Sequence, residues 1–170
     1  MNSQYLIHLL HQHGALGLFV LLALGIFGLP IPDETLLVIS GALLAKKLLF
    51  APTIIPAAIL GAMIGITLSY LLGFSAGHAL LLRYGKYIRL TPEKLHKVET
   101  WFAKAGKWLL LFGYFLPGMR HLTGISAGAA YLRYRSFALF AYTGAVLWSL
   151  TFLSLGYFAY PMVAHYFVNK

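Results

Sequence analysis

The sequence predicts an all-α polytopic membrane protein, built as an inverted repeat of a re-entrant helical hairpin and a transmembrane helix, with an amphipathic connector helix between the halves. Three observations predict it. The 170 residues are 60% hydrophobic and 10% charged, against about 25% charged in soluble domains, so lipid is the solvent that suits them. Two apolar stretches are broken by proline where charge follows at once. The two halves of the chain resemble each other in residue identity and order.

Length allows a single membrane domain, residues 1–170. The formal charge is +9, from thirteen Lys/Arg against four acids. The cations cluster between hydrophobic spans, so membrane topology and anionic headgroups account for them, and nucleic acid is not an expected partner. Cysteine is absent, which removes disulfides, thiol catalysis and thiolate metal sites. Seven histidines are present without an H-x-x-x-H pair, and neither a metal nor a cofactor is expected. No nucleophile–base–acid set, phosphate-binding loop or zinc-protease motif is present, so the protein is not expected to be an enzyme.

Residues 1–13 have no basic n-region and no small-residue cleavage site, and so do not read as a signal peptide. Leu6, Ile7, Leu9 and Leu10 fit a surface-lying amphipathic helix, or equally the start of the first membrane segment. Residues 14–45 form the first hairpin. Its uncharged arm ends in Leu29-Pro30-Ile31-Pro32, and Asp33-Glu34 follow. Pro30 and Pro32 break the helix, because each lacks an N–H and disfavours helix in the residue before it. The second arm, Thr35 to Ala45, is about 16 Å of helix, short of the roughly 20 residues a full span needs. It stops at Lys46-Lys47.

Residues 53–77 make a full span. Residues 83–107 form a basic connector with seven Lys/Arg, in which Thr91-Pro92-Glu93 opens an amphipathic surface helix. Residues 108–132 are the second hairpin, broken at Pro117-Gly118 with Arg120 just beyond and a basic stop at Arg133 and Arg135. Residues 137–160 are the last span, which Pro161 ends.

Each half thus reads as hairpin, basic stop, full span. Ile39-Ser40-Gly41-Ala42 resembles Ile125-Ser126-Ala127-Gly128-Ala129; Gly61-Ala62 and Gly73-Phe74 are spaced like Gly144-Ala145 and Gly156-Tyr157. With one crossing per half, the second half takes the opposite orientation, the plan of secondary transporters. Nine Lys/Arg on the connector side face three on the other, which puts the connector in the cytoplasm and both termini outside.

Charge near the bilayer centre costs several kcal/mol unless paired or hydrated. Asp33 and Glu34 are the acids within a hydrophobic segment, and Arg120 is the cation within one. Opposed hairpins would bring them together near the midplane. A structural ion pair locking the hairpins is one reading. A substrate site is the other, since broken backbone at depth lines a cavity or is buried in protein. Arg120 offers a fork of donors suited to phosphate, and a buried carboxyl makes proton coupling available. His121 could tune Arg120, relay a proton or bond a carbonyl. Tyr114, Thr123 and Ser126 are candidate cavity hydroxyls or interhelical contacts. Gly61, Gly65, Gly73 and Gly77 share a helix face and predict close packing.

Several stretches resemble the DedA family, also called the SNARE-associated or VTT-domain family. Pro30-Ile31-Pro32-Asp33-Glu34 with Gly41-Ala42 is similar to its first motif. Gly61, Gly65, Tyr70, Gly73 and Gly77 are similar to its glycine-rich span. Phe115-Leu116-Pro117-Gly118-Met119-Arg120 with Gly128 is similar to its F-x-P-G-x-R motif, and Gly144 and Trp148 to its last span. The resemblance runs over roughly residues 25–160. It implies a multi-pass protein of the bacterial plasma (inner) membrane that moves lipid between leaflets, with undecaprenyl phosphate or phosphatidylethanolamine as partner and dependence on the proton gradient, and it puts Glu34 and Arg120 at functional positions. The chain departs from the family at Leu22, where many members have an acid, and at Tyr114, where many have arginine; Ile66 and Phe74 replace polar residues. A single arginine beside an acid pair suits a zwitterionic headgroup, which favours phosphatidylethanolamine over undecaprenyl phosphate. A proton-coupled transporter of small cationic solutes and a non-transporting structural or assembly protein remain the competing readings.

Overall fold

The computed structural model describes residues 3–25, 33–84, 100, 104, 106–116 and 119–168, with side chains described for residues 13–25, 33–75, 100, 104, 106–116 and 119–161. The described residues are helical, in the order α1 (Ser3–Leu24), α2 (Asp33–Ala45), α3 (Ala51–Tyr84), α4 (Trp108–Phe112) with a 3-10 turn (Gly113–Phe115), α5 (Met119–Ala129) and α6 (Tyr134–Val168). Within α3 and α6, Ala51–Ser75 and Tyr134–Pro161 are long and apolar enough to cross a membrane.

Breaks fall where backbone chemistry demands them. Leu116, which precedes Pro117, has φ −98° and ψ 115°; the proline ring disfavours helix in the residue before it. Asp33 and Glu34 occupy the first turn of α2, where negative charge faces the unbonded N–H groups. Pro30, Pro32, Pro117 and Gly118 lie outside the described residues, as does most of the basic connector.

Three boundaries differ from the sequence reading. α1 runs without a break through residue 13, so of the two readings of residues 1–13 the start of the first segment is the one that fits, and no helix boundary falls at 13/14. Both long helices overrun the expected 53–77 and 137–160. Pro161 does not end the last helix, which continues to Val168. A proline removes one N–H from the ladder, and the helical bonds on either side of Pro161 persist.

The chain divides into two compact units. Unit 1 comprises residues 1–22, 30–62 and 149–170; unit 2 comprises 23–29 and 63–148. The same packing recurs inside each. In unit 1, a Cβ on Gly41 of α2 would strike the carbonyl oxygen of Leu153, and one on Gly156 of α6 that of Val38. In unit 2, a Cβ on Gly128 of α5 would strike the carbonyl oxygen of Tyr70, and one on Gly73 of α3 that of Ile125. Reciprocal glycines thus let a short helix and a long one touch backbone to backbone. The contacts align Val38-Ile39-Ser40-Gly41 with Ile125-Ser126-Ala127-Gly128, and so make Asp33 the equivalent of Arg120 and Glu34 the equivalent of His121.

The likeness extends along the helices. Comparing 51–75 with 134–158 residue by residue, only the pairs 53/136, 67/150, 69/152 and 72/155 differ between buried, half-buried and exposed. Both short helices close alike. Lys47 N–H donates to Leu44 O and Leu48 N–H to Leu43 O; Tyr131 N–H donates to Gly128 O and Leu132 N–H to Ala127 O. Lys47 and Tyr131 take the left-handed conformation, φ 57° and 52°, that this terminal motif requires. Gly61 packs on Phe19 and Leu22 of α1, and Gly144 on Leu111 and Tyr114. Leu22 and Tyr114, two of the positions at which the sequence departs from the motifs it resembles, are therefore equivalent in this packing.

Candidate functional site

Unit 2 holds a buried cationic site at the start of α5. Arg120 is 4% exposed. Its guanidinium carbon lies 5.0 Å from the centre of the Trp148 ring and 5.9 Å from that of Tyr114. These rings are 5.7 Å apart and inclined at 51°. A planar cation against two aromatic faces gains about 2 kcal/mol once desolvated. Room for the Tyr114 ring comes from Gly144, where a Cβ would sit 2.9 Å from Tyr114 Cδ2. The Thr123 hydroxyl donates to the Arg120 carbonyl, 2.8 Å, and steadies the first turn.

A polar relay fixes the guanidinium edge. Arg120 Nη2 is 3.0 Å from His121 Nε2, His121 Nδ1 is 2.8 Å from Ser69 Oγ, and Ser69 Oγ is 2.9 Å from the Gly65 carbonyl oxygen. The direction follows from donor inventory. Arginine only donates, so Nε2 accepts; the ring proton is then on Nδ1 and goes to Ser69 Oγ, whose own proton goes to Gly65 O. His121 therefore orients Arg120 instead of bonding a free carbonyl. The Tyr114 hydroxyl is buried beside this assembly, the residue being 1% exposed, and has no hydrogen-bond partner among the described residues. Such a group is an exception that calls for a reason.

Asp33 and Glu34 open α2 in unit 1, both half-buried. Ser126 is buried, with its hydroxyl unpartnered among the described residues. The glycine face of α3 serves two partners: Gly61 meets α1, and Gly73 meets α5. Gly65 contributes its carbonyl to the relay, and the surroundings of Gly77 lie outside the described residues. Sequence reasoning passed over Ser69 and gave Trp148 no role at the site. Ser69 stands one turn from Gly65 and Gly73 on the buried glycine face, a position where a hydroxyl signals a polar partner.

The fold and site define a helical membrane protein with a buried, aromatic-flanked arginine. The VTT domain matches residues 31–158, and the chain belongs to the VTT-domain (DedA) family. It is 36% identical over 148 residues to the uncharacterized membrane protein YbfM of Bacillus subtilis (strain 168), covering 87% of this chain and 91% of that protein. It is 30% identical to a protein named alkaline phosphatase-like protein of Lactococcus lactis subsp. cremoris (strain MG1363), over 91% of this chain and 74% of that one. With the undecaprenyl phosphate transporter A of Bacillus subtilis (strain 168) it shares 28% identity over 79% of this chain and 68% of the transporter. No solved structure matches the chain.

Proposed function

We propose that this chain is a multi-pass protein of the bacterial plasma membrane that moves a phosphate-bearing lipid between leaflets, without acting as an enzyme. The observation that carries the proposal is the buried Tyr114 hydroxyl, unpartnered among the described residues, on the aromatic wall of the Arg120 guanidinium. A phenol donor and a rigid guanidinium together suit a phosphate oxygen. Tyr114 stands where many family members have a second arginine, so this site supplies one full positive charge and one neutral donor. The relay through His121 and Ser69 holds the fork ready and lowers the ordering cost of binding. The name of the undecaprenyl phosphate transporter relative supports a lipid-linked phosphate as the substrate class.

Within that class the single arginine favours a singly charged phosphodiester, with phosphatidylethanolamine ahead of undecaprenyl phosphate. Asp33 and Glu34, in the first turn of α2, are the acids we assign to an ammonium group or a coupling proton. The recurrent packing supports reading the two halves as inverted-topology repeats with re-entrant hairpins, the arrangement in which broken helices bind substrate at depth.

The test is leaflet exchange in vesicles containing the purified protein, with labelled phosphatidylethanolamine and labelled polyprenyl phosphate in parallel, with and without an imposed pH gradient. Arg120→Ala is expected to reduce exchange at least tenfold, about 1.4 kcal/mol on the barrier. Unimpaired exchange by folded Arg120→Ala protein would remove Arg120 from the mechanism and leave it a structural cation. Exchange of polyprenyl phosphate alone would overturn the phosphatidylethanolamine preference, and indifference to the gradient would overturn proton coupling.

A further inference from the structure

Unit 1 carries a groove that the translocation site does not use. It has a volume of about 580 Å³ and is formed by the α2–α3 turn, the first turns of α3 and the 150–158 stretch of α6. Phe50, Ile55, Leu150 and Phe158 are among its apolar walls, and among the described residues Lys47 is the charged one in a lining without a carboxylate. Its rim is open to the surroundings: Phe50 is 60% exposed and Phe158 69%.

We infer that this groove is a binding site for an anionic phospholipid, with an acyl chain along the apolar walls and the headgroup phosphate on Lys47. Three features select that occupant. The volume lies within the roughly 300–1,000 Å³ of ligand pockets. The walls are hydrocarbon and aromatic, which suits a chain and gives a free phosphate ion no partners. The end in the α2–α3 turn is cationic, and it sits where two lysines are consecutive. Lys46 packs its ammonium over the Tyr160 ring, 5.1 Å from the centre, and so turns toward α6, while Lys47 lines the groove. The left-handed φ of 57° at Lys47 is set by the helix-ending motif, so the backbone fixes where the lysine side chain leaves the turn. Anionic headgroups attract lysine at the membrane surface, and a long side chain can reach the phosphate while its stem stays on apolar wall. The site is independent of the translocation reading: its lining includes none of Asp33, Glu34, Tyr114, Arg120 or His121, and its readout is binding.

Because the chain has no cysteine, Phe158→Cys introduces a single attachment point for an environment-sensitive fluorophore on the groove rim. The full-length labelled protein is reconstituted in mixed vesicles in which either phosphatidylglycerol or phosphatidylcholine carries brominated chains. Quenching then gives the relative binding constant at the groove. The expected result is about a fivefold preference for phosphatidylglycerol, what one lysine near an anionic headgroup supplies. Lys47→Gln should abolish the preference and Lys47→Arg should retain it; neither change alters the backbone requirement at that position. Equal quenching by both lipids would mean ordinary boundary lipid and overturn the proposal. Quenching by neither would mean that protein, such as a second copy of the chain, covers the groove, and would also overturn it. Retained preference in Lys47→Gln would do the same.

Discussion

The two units share a packing plan and differ in chemistry. In each, a short helix and a long helix meet at reciprocal glycines. In register, however, Asp33 corresponds to Arg120, Glu34 to His121, Leu22 to Tyr114, Ser69 to Phe152 and Trp148 to Gly65. Every component of the arginine cradle therefore has an apolar, acidic or side-chain-free counterpart. Backbone contact tolerates almost no change, because a single Cβ would enter a neighbouring carbonyl. The side chains around the helix starts face no such limit, so one scaffold can hold a cation in one unit and acids in the other.

The largest effect should come from the shared element. Gly73→Ala and Gly156→Ala each place a methyl group against the carbonyl oxygen of the partner helix, Ile125 and Val38 respectively. Each should cost about 3 kcal/mol, the upper part of the range for overpacking, read as loss of the monodisperse peak of fluorescently tagged protein after heating. Similar losses at the two positions would sharpen the comparison. A cost at one position and none at the other would break it.

The chemistry on the one side gives a smaller effect. Ser69→Ala leaves His121 Nδ1–H buried without its acceptor, which should cost about 1–2 kcal/mol and move the Nδ1 nitrogen resonance. Unchanged stability with an unchanged resonance would mean that His121 is oriented by packing alone. Smaller again is Tyr70→Phe. The Tyr70 hydroxyl donates to the Leu132 carbonyl at 2.6 Å, whereas its counterpart Leu153 has no hydroxyl to donate. Its removal should cost about 0.6 kcal/mol, typical of hydrogen bonds within membranes. A loss several times larger would show that this bond, and not the glycine contact, sets the end of α5.

Much of this was legible beforehand. Charge-free stretches ended by Pro30-Ile31-Pro32 and Pro117-Gly118, the motif residues Asp33, Glu34 and Arg120, and the glycine face of α3 all stand in the linear order. The likeness of the halves was visible too, but its register was not: matching isoleucine to isoleucine is off by one from the alignment that the glycine contacts impose. Pro161 misled because one proline takes only one N–H from the helical ladder, and the helix resumes on its far side.

By itself the sequence determined the solvent, the end of helix at Leu116 before Pro117 and which helix starts carry charge, because hydrophobicity, proline sterics and helix periodicity act over a few neighbouring residues. Tertiary structure alone decided that Arg120 lies against Trp148 and Tyr114, that Ser69, 52 residues away in the chain, fixes His121, and that Asp33 and Arg120 are counterparts. Those relations depend on which helix faces meet, and that is set by backbone contacts at glycines far apart in the chain, summed over many buried atoms, which no local window of sequence contains.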